Sequence, residues 1–471
     1  MIKNIVSAFC ISFSVAVFSQ ETLITFQNDL KTSSSDIKDV IPVVNTETDE
    51  IAFFVADAKN VYGYKIDADF KVSEKISSEE KRRKFKVIIG SSASKDDSYR
   101  VFLTNKNQTD FASVRFSFKD GSTSLKEFSI DRNETFIQTV VSKNKFYLIA
   151  ASRLYKSLSI YTFNENGDPQ KHNINIADLR FIDTKGKNKA LTSLLLEGED
   201  LNKFEENTPN SIELTSEFRK MFVRDHTILI TLDHHKMFTQ VLQIDLNTLL
   251  ATSFQFRKPK LGEKAKRTNS YLNGDHLFTL ATTKDEFTVE ILDFATGNLV
   301  KEYSATKNDS ITFKNTPIMQ EGGIYDSSRE LGKTKRFLRK IAKGNTGLSV
   351  RKVKNRFHLT IGGYIVQNTG GGMMMPFGGI PMGSIGAVTV FFNPTQMAFN
   401  SFTNNKTTRI ESLLDTDFNH IQGEIEENAF DKMKEFKSNN KGGTVFKYKD
   451  FFIKARYHSF SKEFNFKKFT D

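Results

Sequence analysis

Three short runs decide the reading: Ile51-Ala-Phe-Phe-Val55, Val61-Tyr-Gly-Tyr-Lys-Ile66 and Phe70-Lys-Val72. The first is apolar throughout, the second alternates, and Asp67 and Asp69 mark the turn before the third. β-branched and aromatic residues at period two, separated by turn residues, read as strands rather than helices. The succession then recurs. Residues 99–103 (Tyr-Arg-Val-Phe-Leu) lead to 113–118, and Asp120-Gly121 turns into 125–130. Residues 146–150 lead to 158–163, 228–232 to 241–246, and 276–280 to 288–293, with Ala295-Thr-Gly297 turning into 299–303. A sixth unit begins at residue 357 and a less regular seventh at 444. Three of the steps between these starts are 47 or 48 residues, and the others add an insertion of roughly 33 to 39.

A three- or four-stranded unit repeated at that spacing is the pattern of a β-propeller blade. The expected fold is an all-β, six- or seven-bladed propeller with helical or loop insertions near 177–212, 305–350 and 405–440. The alternative is a multi-sheet all-β protein of two smaller domains. With its outer turns, of which Ala295-Thr296-Gly297 is the clearest, the chain resembles β-propeller repeats generically. Over most of its length it is also similar to uncharacterised exported propeller-like proteins of Bacteroidota, a group that brings no assigned activity. Without Trp there is no WD dipeptide, and neither a kelch pattern nor a sialidase-type Asp box occurs.

The rest of the composition narrows the class. A chain of 471 residues with 44 Phe and only eight Pro is long enough to bury a large core and is neither disordered throughout nor a Pro-rich linker. At its start, Lys3 precedes a short apolar run from Ile5 to Phe18, with Val17 and Ser19 placed for cleavage before Gln20. That is an export signal over residues 1–19, followed by one propeller domain over 20–471. The run is too short and too polar for a membrane span. Cys10, the only cysteine, sits inside it after bulky Phe9, a poor place for lipidation. The processed chain would therefore have neither disulfide nor thiol, and would be periplasmic or extracellular.

Charge is concentrated in one stretch. Residues 328–356 hold eleven cations against one acid, Glu330, while the whole chain nets +11. The remainder is therefore close to neutral. Leu331, Leu338, Ile341 and Ala342 share one helical face beside Phe337, with Ser327 or Ser328 as the expected cap and Gly344 as the stop. Lys333, Lys335, Arg336, Arg339, Lys340, Lys343, Arg351, Lys352, Lys354 and Arg356 are the candidate contacts for an anionic partner. The plainer reading is a rim helix with its basic face in water. Nucleic acid is excluded as a partner, because the export signal points away from it and no recognised nucleic-acid module is present.

Two further segments carry expectations. Residues 369–383 read Thr-Gly-Gly-Gly-Met-Met-Met-Pro-Phe-Gly-Gly-Ile-Pro-Met-Gly. Flexible glycines with Met373, Met374, Met375, Phe377, Ile380 and Met382 make an adaptable apolar contact for a partner or, peripherally, a membrane. Asp415, Asp417, Asn419 and Glu426 have the spacing of a Ca²⁺ loop, although His420 stands where the sharp turn of such loops takes Gly. No other cofactor is implied. The eight His are scattered, and no G-x-S-x-G elbow, Walker loop or H-E-x-x-H occurs. The expected function is a non-enzymatic exported scaffold that binds protein, glycan or an anionic envelope surface. The alternative is a secreted propeller-type polysaccharide hydrolase or lyase with carboxylates near the central channel.

Overall fold

The computed structural model describes residues 21–29, 37, 39–57, 60–78, 84–85, 87–197, 201–262, 265–322, 328–365, 393–402, 406–436 and 442–471. The expected signal segment and the Met-rich loop lie outside them. Among these residues the strands form seven sheets. Sheet 1 is Asp39–Val44, Ile51–Ala56, Val61–Ile66 and Val72–Ser78, each hydrogen-bonded antiparallel to the next. Sheets 2, 3 and 5 repeat this meander, starting at Val87–Ser94, Thr135–Ser142 and Arg267–Asn273. Sheet 4 starts at Arg219–Arg224 and carries an additional parallel strand, Asn202–Phe204, on its inner edge. Sheet 6 pairs Asn345–Val353, Arg356–Ile365 and Lys406–Leu414, then adds the short strands Met319–Glu321 and Arg329–Glu330. Sheet 7 runs Thr444–Tyr448, Phe451–His458, Glu463–Phe469, and is completed by Thr22–Gln27 from the other end of the chain.

Burial follows position in the sheet. In sheet 1 the first three strands are buried almost throughout, whereas Val72–Ser78 alternates between buried and exposed positions. A strand covered on both faces needs apolar groups on both, and an outer strand needs them on one. Consecutive sheets share cores. Phe54 of sheet 1 packs with Tyr99 and Phe116 of sheet 2. Phe102 stacks on Phe146 of sheet 3 at 3.9 Å between ring centroids. Ile160 of sheet 3 shares a cluster with Met221 and Ile230 of sheet 4. Phe222 meets Tyr271 of sheet 5, and the Asn273 amide of sheet 5 donates to the Val350 carbonyl of sheet 6. Arg351 of sheet 6 pairs with Asp471 beyond the last strand. Phe464 and Phe466 of sheet 7 then close on Phe53 of sheet 1. Each sheet touches the next and the last touches the first. The chain is an all-β propeller.

One glycine shows how tight this packing is. A Cβ on Gly90 would stand 2.2 Å from the Phe146 ring, which is itself held against Phe102 and Phe163. No larger residue fits without moving the aromatic stack.

Several expectations are corrected in detail. In the first six units the repeat starts read from sequence are the second strands of their sheets. Residue 444 instead opens the innermost strand of sheet 7, and the equivalent second strand begins at Phe451. Phe70 is not in a strand but in a left-handed turn with φ of 59°, and the strand begins at Val72. In the insertion expected near 405–440 a helix spans Ala429–Glu435, and the Asn428 side chain caps its start by accepting from the Phe430 and Asp431 amides. The helix in the basic segment spans Thr334–Lys343 with Lys333 at the N-cap, rather than starting at a serine. Gly344 does end it. A Cβ there would lie 2.4 Å from the Tyr364 carbonyl oxygen, so only glycine lets Asn345–Val353 pair directly with Arg356–Ile365.

Candidate functional site: a cationic edge and an axial cavity

The Thr334–Lys343 helix is held by its apolar face. Phe337, Leu338, Ile341 and Ala342 are buried in the cluster or against the sheets, and Thr334 Oγ1 donates to the Asp309 carbonyl at 2.5 Å. Its electrostatics run the other way. Lys333, Lys335 and Arg336 occupy the cap and first turn, no acid stands there, and no side chain caps the amides. Cations beside the positive end of a helix dipole cost roughly 0.3–1 kcal/mol each. Packing therefore keeps the start of the helix against its own charges, while Lys340 and Lys343 in the last turn favour it.

Lys333, Lys335, Arg336, Arg339 and Lys343 are exposed and Lys340 is half-buried. Among the described residues none of the six pairs with a carboxylate. Two cations from sheet 6 join them. Burial, and then Lys406, Arg329, Lys343 and Arg339, push the Lys340 ammonium below its ordinary value. Burial and mutual repulsion thus act together on Lys340, while Lys335 lies within electrostatic reach of Asp285.

The other sequence candidates are placed elsewhere. Arg351 is buried and bound to Asp471 at 2.6 Å, with His358 Nδ1 at 3.2 Å. Lys352, Lys354 and Arg356 are exposed around the hairpin at the far end of Asn345–Val353. At about 3.3 Å per residue this is about 26 Å from the helix end. One basic run in sequence is thus two groups in space. Asp415 Oδ1 accepts from the Asp417 and Asn419 amides at 2.9 and 2.7 Å, and Lys301 Nζ donates to Asn419 Oδ1 at 2.8 Å. Glu426 is exposed, in a stretch without regular structure before the Ala429–Glu435 helix. The Met-rich contact candidates fall outside the described residues.

A second feature lies on the axis. A cavity of about 420 Å³ is lined by innermost strands of four sheets, through Val44, Val141, Val223 and Phe446, and by Asn393–Thr395 at the start of the Pro394–Asn400 helix. Its charged lining comes chiefly from the added strand Asn202–Phe204 and the residues after it. Lys203 is 7% exposed, and its Nζ has one hydrogen bond, to Thr139 Oγ1 at 3.3 Å. Burial alone pulls its ammonium down to about 7. Glu205 accepts from Thr395 Oγ1. Glu206 pairs with Arg224, yet burial still pushes its carboxyl above the usual range. Lys143, Asp225 and Lys447 complete the charged lining. Residues 201–206 belong to the insertion expected near 177–212, and their apolar Leu201 and Phe204 are the signal that they turn inward; both are buried.

A wider cleft of about 1300 Å³ runs over sheets 1 to 3, from Asn45–Glu50 past Arg100 to Asn164 and Glu165, and shares Lys143 with the axial cavity. Among the described residues no group of three or more His, Cys, Asp or Glu side chains is placed to hold a metal ion.

No protein-family model matches the chain, and no curated protein matches it. Among solved structures it is similar to the Dos1 propeller, at 11% identity over 96% of this chain and 95% of that one, with a TM-score of 0.33. It is also similar to the Nup133 β-propeller domain of Vanderwaltozyma polyspora, at 11% identity over 90% and 92%, with a TM-score of 0.31. Cobalt-substituted Synechocystis ACO matches at 8% identity over 58% of this chain and 63% of its own, with a TM-score of 0.30. Likeness at this level carries no role across to the present chain.

Proposed function

We propose that this propeller is an exported binding scaffold that docks on an anionic envelope polymer through the Thr334–Lys343 edge. The observation that supports this most directly is the set of six helix cations that make no ion pair with a carboxylate among the described residues, with burial and then neighbouring cations depressing Lys340. Export rests on the leader-like residues 1–19, and the Met373–Met382 segment is a second, apolar contact in the same reading. Near an anionic surface each cation contributes on the order of 1 kcal/mol, screened by salt. Retention on an immobilised anionic polysaccharide should fall steeply with added salt. It should also drop by a hundredfold or more when Lys333, Lys335, Arg336, Arg339, Lys340 and Lys343 are all changed to Gln. Equal retention of both proteins would remove the proposal.

A second reading has its own observation: Glu205, Glu206 and Asp225 line the axial cavity, where a polysaccharide hydrolase or lyase would place its carboxylates. The same incubation separates the two. Polymer recovered at full length supports docking, and polymer recovered shortened supports the enzyme.

A further inference from the structure

A lysine that is 7% exposed and has no carboxylate partner among the described residues is expensive to keep. The chain keeps one at the place where four sheets meet. Lys203 lies on a strand that belongs to no regular propeller unit, added in parallel to the inner edge of sheet 4. Thr139 holds its Nζ, and the Thr139 hydroxyl donates in turn to the Ile89 carbonyl at 2.6 Å. The hydroxyl proton is thereby committed to Ile89, and Thr139 can only accept from Lys203. Beside it in the same cavity stand three carboxylates, Glu205, Glu206 and Asp225, and two further lysines, Lys143 and Lys447, of which Lys143 faces Asp225 at 3.9 Å. Neutral Asn202, the preceding residue, is fully buried, and neither of its amide atoms has a partner among the described residues.

We infer that the axial cavity is a capture site for a small aldehyde or ketone bearing a carboxylate or phosphate, held as an imine on Lys203. The cavity of about 420 Å³ admits a molecule of that size. A desolvated amine that is substantially unprotonated near neutral pH is a competent nucleophile. In the step, the Nζ lone pair forms a C–N bond to the carbonyl carbon. The carbonyl oxygen collects two protons, both originating on the amine and relayed by a carboxyl of the cavity, and leaves as water. The C=N bond closes, with no oxidant or reductant consumed. Glu206, whose carboxyl burial holds above its usual range, is placed to relay those protons. Lys447 supplies the cation for the acidic group of the ligand, since Lys143 already faces Asp225 at 3.9 Å. This site is independent of the cationic edge and stands or falls apart from it.

Glyoxylate with cyanoborohydride tests it on the intact protein, because reduction turns the imine into a carboxymethyl-lysine that peptide mass mapping locates. At pH 7, Lys203 should be modified at least tenfold faster than the exposed lysines. Modification should also need the folded state and fall in the presence of an excess of a competing 2-oxo acid, more than with the same excess of acetate, which has no carbonyl. The wild-type map alone decides the matter, so a variant that fails to fold cannot obscure it. In a folded Glu206→Gln protein the rate at Lys203 should drop while the exposed lysines are unchanged. Absence of a Lys203 adduct in the folded wild type, or modification no faster than at surface lysines, overturns the inference.

Discussion

Asp233 receives Lys220 Nζ at 3.0 Å and Lys258 Nζ at 2.9 Å, and all three side chains are fully buried. Its Oδ2 also accepts from the Ser270 hydroxyl and amide of the next sheet, at 2.8 and 3.0 Å, and Oδ1 accepts from Thr239 at 2.8 Å. Sheets 4 and 5 are joined through this one carboxylate. Burial works against its charge, but Lys258 and Lys220 outweigh burial and hold it well below the usual carboxylate range. Asp233→Asn leaves two buried ammoniums without an anion and should cost about 3–5 kcal/mol. Urea unfolding followed by circular dichroism would read this, and a loss under 1 kcal/mol would contradict it. In sequence, Asp233 follows the run 228–232 and precedes 241–246, a place where only a hairpin turn is expected. Its importance depends on Lys258 and Ser270, which are brought there only by the fold.

At the scale of elements, the second and third strands of the units were legible because both faces of each are apolar or alternate cleanly. The innermost strands were not. Arg219–Arg224 and Arg267–Asn273 are rich in polar residues, yet Lys220, Asn269 and Ser270 are buried there. Their partners come from neighbouring sheets, so no local period reveals them. The basic helix was legible from its apolar stripe, but its split from Lys352, Lys354 and Arg356 was not, since an intervening strand sets that distance. The closing strand Thr22–Gln27 was likewise hidden, because its partner Glu463–Phe469 lies at the other end of the chain. Deleting residues 21–28 bares the edge of Glu463–Phe469 and removes Phe26 from its packing with Phe53, Phe464 and Phe466. The truncated protein should lose several kcal/mol and self-associate, seen as a lower melting temperature and a concentration-dependent mass by light scattering. A monomer with an unchanged melting temperature would refute this.

For the whole molecule, His358 and Lys203 are two of the groups that shape the dependence of stability on pH. Burial and the Arg351 guanidinium bring His358 down to about 4 from its ordinary 6.5. The unfolded chain then binds more protons between those values, so stability is complete above about pH 6.5 and is lost as pH falls toward 4. Lys203, at about 7 when folded, acts in the same sense at higher pH. Its penalty is full below pH 7 and disappears as pH rises toward the ordinary lysine value near 10.4. Chemical denaturation from pH 4 to 10 should show both slopes. His358→Gln should flatten the acid one and Lys203→Met the alkaline one, and slopes unaltered by these changes would contradict the assignments.

The seam in sheet 7 has a mechanical consequence. Thr22 pairs opposite Lys467, and the Lys468 amide donates to the Glu21 carbonyl, so both ends of the described chain leave the ring at the same corner. Tension applied between those ends loads the hydrogen bonds one after another, as in unzipping, instead of all at once in shear. The ring should therefore yield at low force and at one defined point, releasing a single strand while six sheets stay folded.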